Sequence, residues 1–243
     1  LTVAQLKDRL LRTVMPLATL QQVVSSGGML NAFNALTNAQ SPEPPAPDPG
    51  VTYTKRSAAY SYDTTLGTRV LNTDDGYNTQ TLGFTLPFYG VGCTRIAISA
   101  NGRMVPLTAD QSEPTEQDYS NQNRPGLNVF QDDLFPRANG SDTGGVWFKA
   151  NGDSATITWV VVPYAFRAGA STDNEIRVQA KLYRSGRIEI HYADTLVGDV
   201  NYDYGKSATV GLAPITGATG SALLVSNNTA NSAELGNGKS LSF

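Results

Sequence analysis

The 243-residue sequence contains one cysteine, one histidine and no clustered run of lysine or arginine. With Cys93 alone, an internal disulfide and a cysteine-based metal site are both excluded. With His191 alone, any Ser-His-Asp or Cys-His mechanism would have to run through that one imidazole. Charged residues are only 16% of the chain, 18 basic against 21 acidic, for a net charge of -3. Phosphate recognition rests on clustered basic side chains, so this balance argues against a nucleic-acid partner. No apolar run reaches the roughly eighteen residues that a membrane-spanning helix needs. A signal-peptide pattern is also missing, because Leu1 opens directly into a helical pattern; the chain is expected to be cut from a longer one.

What is abundant is turn chemistry. Twenty-three Gly, 13 Pro and 11 Tyr, with many Thr, Ser and Asn, give the profile of a turn-rich β protein, as is common among secreted bacterial proteins. The stretch from Thr81 to Pro106 concentrates it. Two β-type runs, Leu82 to Phe88 and Thr94 to Ser99, flank a Pro/Gly break, and Asn101-Gly102 follows as a hairpin signal. Alternation puts Ile96 and Ile98 towards a core, with Arg95, Ala97 and Ser99 on the other side. Cys93, beside Gly92 and near Ile96, reads as a small buried hydrophobe.

At the start, Thr2 and Gln5 form a capping-box pattern. Val3, Leu6, Leu10 and Leu11 then share one helical face, opposite Lys7, Asp8, Arg9 and Arg12, which predicts an amphipathic helix ending near Thr13. A short irregular or helical link over Leu17 to Val24 and a second short helix over Leu30 to Leu36 are expected after it. Two such helices cannot bury their apolar faces alone. The positions Leu1, Thr2, Gln5, Leu6 and Lys7, then Gly28, Leu30, Asn31, Ala32, Ala35 and Leu36, carry a resemblance to the last helices of a subtilisin-like serine protease catalytic domain. It covers about the first 37 residues. That family's serine, aspartate and histidine motifs are absent, so the resemblance transfers no catalytic residue. It implies a parent protease whose catalytic domain is a partner of this chain.

Five prolines in Ser41 to Pro49 favour a stiff, extended spacer. The division this predicts is 1–40 as the helical end of a catalytic domain, 41–50 as linker and 51–243 as a β domain. Strands are expected at Ala58 to Tyr62, Leu82 to Thr85, Thr94 to Ser99, Val146 to Ala150, Ala155 to Val162, Glu175 to Tyr183, Arg187 to His191, Ala208 to Ala213, Ala222 to Ser226 and Ser240 to Phe243. Asn151-Gly152 and Ser185-Gly186 mark hairpin turns between neighbours. The fold class is therefore mainly β: a two-sheet antiparallel β-sandwich, jelly-roll-like, preceded by two short α-helices. The segments FTLPFYG, ISANGRM, FQDDLFP, GGVWFK, ITWVVV and LYRSGRIEIHY are similar to β-sandwich modules appended to secreted bacterial proteins. That resemblance implies an accessory or binding domain with no fixed ligand. The polar insert Ala109 to Arg124 departs from it in length.

Chemistry-bearing residues are few. On an extended Arg187 to Tyr192, the apolar Ile188, Ile190 and Tyr192 share a face, which places His191 at the surface with Arg187 and Glu189. Asp132 and Asp133 are adjacent carboxylates that point apart on a strand, suited to capping a loop, binding a cation or contacting a ligand rather than to paired acid–base work. Asp199, Asn201 and Asp203 alternate along a turn ending at Gly205, which suits Ca2+ or a solvated loop. The glycine falls one residue later than in an EF-hand loop, and Val210 stands where its last ligand would be. Asp74-Asp75-Gly76 reads as a turn. Trp147 and Trp159 read as core. Tyr202, Tyr204, Tyr164 and Tyr119 fall in or near polar loops, where they either pack on their own domain or form a sugar- or peptide-binding platform. Lys206-Ser207 shows no dyad, and the sequons at Asn139 and Asn227 matter only in a eukaryotic secretory route.

The reading that follows is a non-catalytic C-terminal accessory domain of a secreted subtilisin-like protease, assisting substrate binding, stability or secretion. The competing reading is a carbohydrate-binding or adhesive module at a cell surface. Partners would be the parent catalytic domain and a protein substrate or cell-surface polymer, with Ca2+ as the one cofactor to test.

Overall fold

The computed structural model describes residues 2–16, 28–29, 52–115, 123–136, 144–169 and 171–243. Helix α1 (Val3–Arg12) begins as its sequence dictates. The Thr2 hydroxyl accepts the Gln5 N–H at 3.2 Å, and the Gln5 side chain accepts the Thr2 N–H at 2.8 Å. After it, β1 (Met15–Pro16) and β2 (Gly28–Met29) form a minimal antiparallel pair. The expected helix over Leu30 to Leu36, the link over Leu17 to Val24, the spacer Ser41 to Pro49, Tyr119 and the Asn139 sequon lie outside the described residues.

Fourteen further strands follow among the described residues, and all their pairings are antiparallel. They are β3 (Arg56–Ser57), β4 (Thr68–Leu71), β5 (Tyr77–Phe88), β6 (Val91–Ser99), β7 (Arg103–Leu107), β8 (Gly126–Gln131), β9 (Leu134–Pro136), β10 (Gly145–Ala150), β11 (Ser154–Pro163), β12 (Ile176–Tyr183), β13 (Ile188–Asp194), β14 (Thr209–Ala213), β15 (Leu223–Asn227) and β16 (Lys239–Ser242). One sheet runs β3-β16-β13-β12-β11-β10-β4, with β9 also on β11; the other runs β15-β14-β8-β7-β6-β5. A one-turn helix, α2 (Ser232–Leu235), precedes the last strand.

The two sheets face each other across one core. Its largest fully buried side chains include Trp159, Tyr192, Phe88, Phe130, Ile96 and Ile98. Each large apolar side chain removed from water contributes about 1.5–3 kcal/mol, so this layer is the main favourable term in folding. Polar atoms in it are bonded across the gap. Trp159 Nε1 donates to the Ser99 carbonyl at 2.8 Å, and the Tyr192 hydroxyl donates to the Val129 carbonyl at 3.3 Å.

The hairpin turns fall where the dipeptides predict: Gly152 and Gly186 have φ of 71° and 87°, the left-handed region that a side chain resists. Three expectations change. Ala58 to Tyr62 forms no strand; the chain leaves β3 and crosses the outer face of the larger sheet as an extended strap. Trp147 is half-exposed on that outer face, with the Arg69 guanidinium 5.5 Å above its ring, whereas Trp159 is core. His191 is fully buried because the strap covers it.

Candidate functional site

At one end of the sandwich the connecting loops converge on Asn101. Its backbone and side chain are completely buried in the turn between β6 and β7. Its Oδ1 accepts the Leu134 N–H at 2.7 Å, its Nδ2 donates to Asp75 at 2.9 Å, and its carbonyl accepts the Asp132 N–H at 3.3 Å. Gly102 beside it has φ of 74°, and its carbonyl accepts the Val129 and Phe130 N–H groups. A Cβ at Gly102 would lie 2.1 Å from the Phe130 carbonyl oxygen, so only glycine lets β8 come this close. The Ser-Ala-Asn-Gly turn and the Asp-Asp-Leu loop, read separately in the sequence, are one unit.

Around that unit stand Asp74, Asp75, Asp132 and Asp133, and the Arg167 guanidinium acts on Asp74 and Asp133. Asp132 is the buried member. Its Oδ1 accepts the Asp133 N–H at 2.9 Å, its Oδ2 accepts the Ser207 hydroxyl, and burial pushes its carboxyl up to about 6 against those bonds. Asp133 points out to solvent, as alternation requires, and is raised by its own partial desolvation and by the charges of Asp74 and Asp75. Asp74 is raised by desolvation and by Asp75, and its Oδ1 is inaccessible and accepts no hydrogen bond among the described residues.

Tyr164 sits on the same rim, half-buried. Its N–H donates to the Asp133 carbonyl at 2.8 Å, its ring meets Phe135 edge-on, and the Arg167 guanidinium lies 3.8 Å from the ring centroid. Tyr202 packs edge-on against Phe166 and joins the core margin. Tyr204 is half-buried at φ of 55°; its N–H bonds the Thr195 carbonyl and its carbonyl takes the Asn231 N–H at the start of α2. Both loop tyrosines therefore brace the 199–207 loop, and of the three only Tyr164 stands with the acidic rim.

The alternating oxygen set is committed to its own loop. Asp203 Oδ1 accepts three backbone N–H groups, from Val197, Gly198 and Asp199, and Asp199 Oδ1 accepts both N–H groups of Asn201, backbone and side chain. Among the described residues, no group of three or more His, Cys, Asp or Glu is placed to hold a metal ion.

The single histidine has a different setting from the rim. His191 Nδ1 is 2.7 Å from the Ser240 hydroxyl, its cross-strand neighbour, and accepts the Ser61 N–H of the strap at 3.5 Å. Its Nε2 lies 3.5 Å from Glu189 Oε2. Glu189 in turn accepts from the Tyr183 hydroxyl and from Arg187. Cys93 is buried, and desolvation pushes its thiol up to about 12, which keeps it protonated and inert.

Local pattern could not reveal Asn101, Ser207 and Arg167 as parts of one rim. Asn101 had a signal, since a Ser-x-Asn-Gly turn is more specific than a bare Asn-Gly; Ser207 and Arg167 had none.

Fold and rim together define a two-sheet antiparallel β protein whose chemistry is gathered in loops at one end. The model of the NIDO-related family matches residues 52–240, and the chain belongs to that family. No curated protein and no solved structure matches the chain. No helix among the described residues is long and apolar enough to cross a membrane.

Proposed function

We propose that this chain is the non-catalytic, C-terminal accessory part of a secreted subtilisin-like serine protease, with the jelly-roll-like sandwich assisting substrate binding, stability or secretion. The observation that carries the reading is α1. It lies outside the 52–240 family match, and much of its apolar face is exposed among the described residues: Val3 by 87%, Leu6 by 46% and Leu11 by 37%, with Leu10 half-buried. An amphipathic helix gains its stability from packing that face, so α1 belongs with a partner, and its sequence resembles the closing helix of a subtilase catalytic domain. Tethering a binding module to such a catalytic domain raises local substrate concentration without new chemistry.

The test has two arms. The purified chain is incubated with casein, and separately with insoluble protein and insoluble polysaccharide. Retention on insoluble protein without casein hydrolysis is the expected result. Hydrolysis that survives removal of contaminating protease and disappears in His191→Ala overturns the reading.

A second reading, a carbohydrate-binding or adhesive module at the cell surface, is favoured by one observation. Tyr60 and Tyr62 on the strap present rings within 9° of parallel, and Tyr60 is 46% exposed. Retention on polysaccharide alone selects it, and alanine at Tyr60 and Tyr62, then at Tyr202 and Tyr204, locates the surface. Calcium at the 199–203 loop would have to use the outward oxygens of Asp199 and Asp203. A thermal melt with and without Ca2+ checks that use.

A further inference from the structure

The strap over residues 58–66 is held on the outer face of the larger sheet by polar contacts, and one of them depends on a protonation state. Asp63 and Gln179 exchange two bonds, Asp63 N–H to Gln179 Oε1 at 2.9 Å and Gln179 Nε2 to the Asp63 carbonyl at 3.0 Å. Lys149 pairs with the Asp63 carboxylate at 2.7 Å, and Lys181 Nζ donates to the Ser61 carbonyl and hydroxyl. Between these anchors and the Ala58 N–H bond to the Ser240 carbonyl lies Ser61, whose N–H points at His191 Nδ1.

We propose that the strap is a pH-sensitive latch, closed while His191 is neutral and loosened when its imidazole takes up a proton. A main-chain N–H can only donate, so the ring nitrogen facing Ser61 must carry a lone pair. The proton of the neutral ring then sits on Nε2, towards Glu189 Oε2 at 3.5 Å. Protonation at Nδ1 turns that contact into donor against donor. The Ser240 hydroxyl can rotate to become an acceptor, but the Ser61 N–H cannot. The imidazolium would also be fully buried, and the route to hydration runs outward through the strap.

Charged and titratable groups face the ring from several elements. From β13 comes Glu189, with Arg187 and, through Glu189, Tyr183 of β12. From β12 and β10 come Lys181 and Lys149, which feel Glu189 and Asp63. The strap contributes Asp63, Tyr62 and Tyr60, whose ring stands edge-on to His191 at 6.1 Å. From β16 comes Ser240, preceded in the chain by Lys239. Glu189 presents a carboxylate oxygen 3.5 Å from Nε2 of the ring. Asp63 and Glu189 are both held below their usual range by their hydrogen-bond and ion-pair partners, so they remain anionic where an ordinary histidine titrates, near pH 6.5.

With only one histidine in the chain, the test is direct. The tag-free protein is labelled with 15N and its imidazole shifts are followed from pH 8 to pH 5, alongside amide exchange of Ser61 and Asp63 corrected for intrinsic rate. The expected result is an Nε2-protonated ring at pH 8 and at least a tenfold loss of strap protection on protonation. In His191→Gln, whose carbonyl accepts without titrating, protection should stay flat; Asp132→Asn, which removes a carboxyl that burial pushes up to about 6, should leave the transition in place. An Nδ1-protonated ring at pH 8, unchanged strap protection across the titration, or the same acid loss in His191→Gln each overturns the latch. The ring shifts are read on the unmodified chain, so a variant that fails to fold leaves the test decisive.

Discussion

Asn101 and Leu134, 33 residues apart, are joined by a 2.7 Å bond in which the asparagine side chain replaces a missing strand ladder. Through that bond the β6–β7 turn dictates where the Asp132-Asp133 loop sits, and with it the acidic rim. Replacing Asn101 by alanine strands the buried Leu134 N–H, worth about 1–3 kcal/mol when unpartnered, and removes a bond to the solvent-exposed Asp75. We expect Asn101→Ala to lower the urea-unfolding free energy by about 1–3 kcal/mol on that same scale, with an unchanged denaturant slope.

Two glycines with near-identical backbones separate strain from crowding. Gly102 and Gly152 have φ of 74° and 71°, yet a Cβ at Gly152 meets nothing within 4 Å, while one at Gly102 meets the Phe130 carbonyl. Gly152→Ala should therefore cost about 1 kcal/mol, the penalty of the left-handed region alone. Gly102→Ala should cost clearly more, because β8 must move away. Equal losses in thermal or chemical melts would contradict this account.

Asp132 makes stability depend on pH in a direction unusual for a carboxylate. Its folded value, about 6, lies above its ordinary 3.8, so the folded state holds the proton more tightly than the unfolded chain does. Its contribution is fully present below about pH 4 and is lost as pH rises through 6. A shift of this size corresponds to roughly 3 kcal/mol at most. Asp132→Asn should flatten that part of the stability profile measured by denaturation between pH 4 and pH 7.

Cys93 should report unfolding cleanly. Buried in β6 with its thiol pushed up to about 12, it has almost no thiolate at neutral pH. A disulfide reagent added to the native protein at pH 8 is expected to label it only at the rate of opening, and stoichiometrically once the chain is unfolded. Fast labelling of the native state would mean that β6 is not closed.

Much of the sandwich was readable from local pattern. Period-two alternation, Gly-containing hairpin dipeptides and β-branched runs located β5, β6 and β10 to β16, apart from shifts of a few residues at their ends. Strands β4, β7, β8 and β9 were not legible. In β7 and β8 every residue is buried, so neither strand shows alternation; β4 and β9 are only four and three residues long. The capping box of α1 needed nothing beyond four consecutive residues.

The sequence by itself determined the class of structure, the turns and the scarcity of catalytic chemistry, because these depend on composition and on neighbours within a few positions. The tertiary structure decided which face is covered and which groups meet. Alternation placed His191 correctly with Glu189 on the face away from Ile188 and Ile190, but only the strap, arriving from some 130 residues earlier, made that outer face an interior. The rim is likewise a product of loops 26 to 75 positions apart, such as Asn101 with Asp75 and Ser207 with Asp132, whose bonds no periodicity encodes. Burial and long-range hydrogen bonding arise from chain closure, and local pattern carries no record of them.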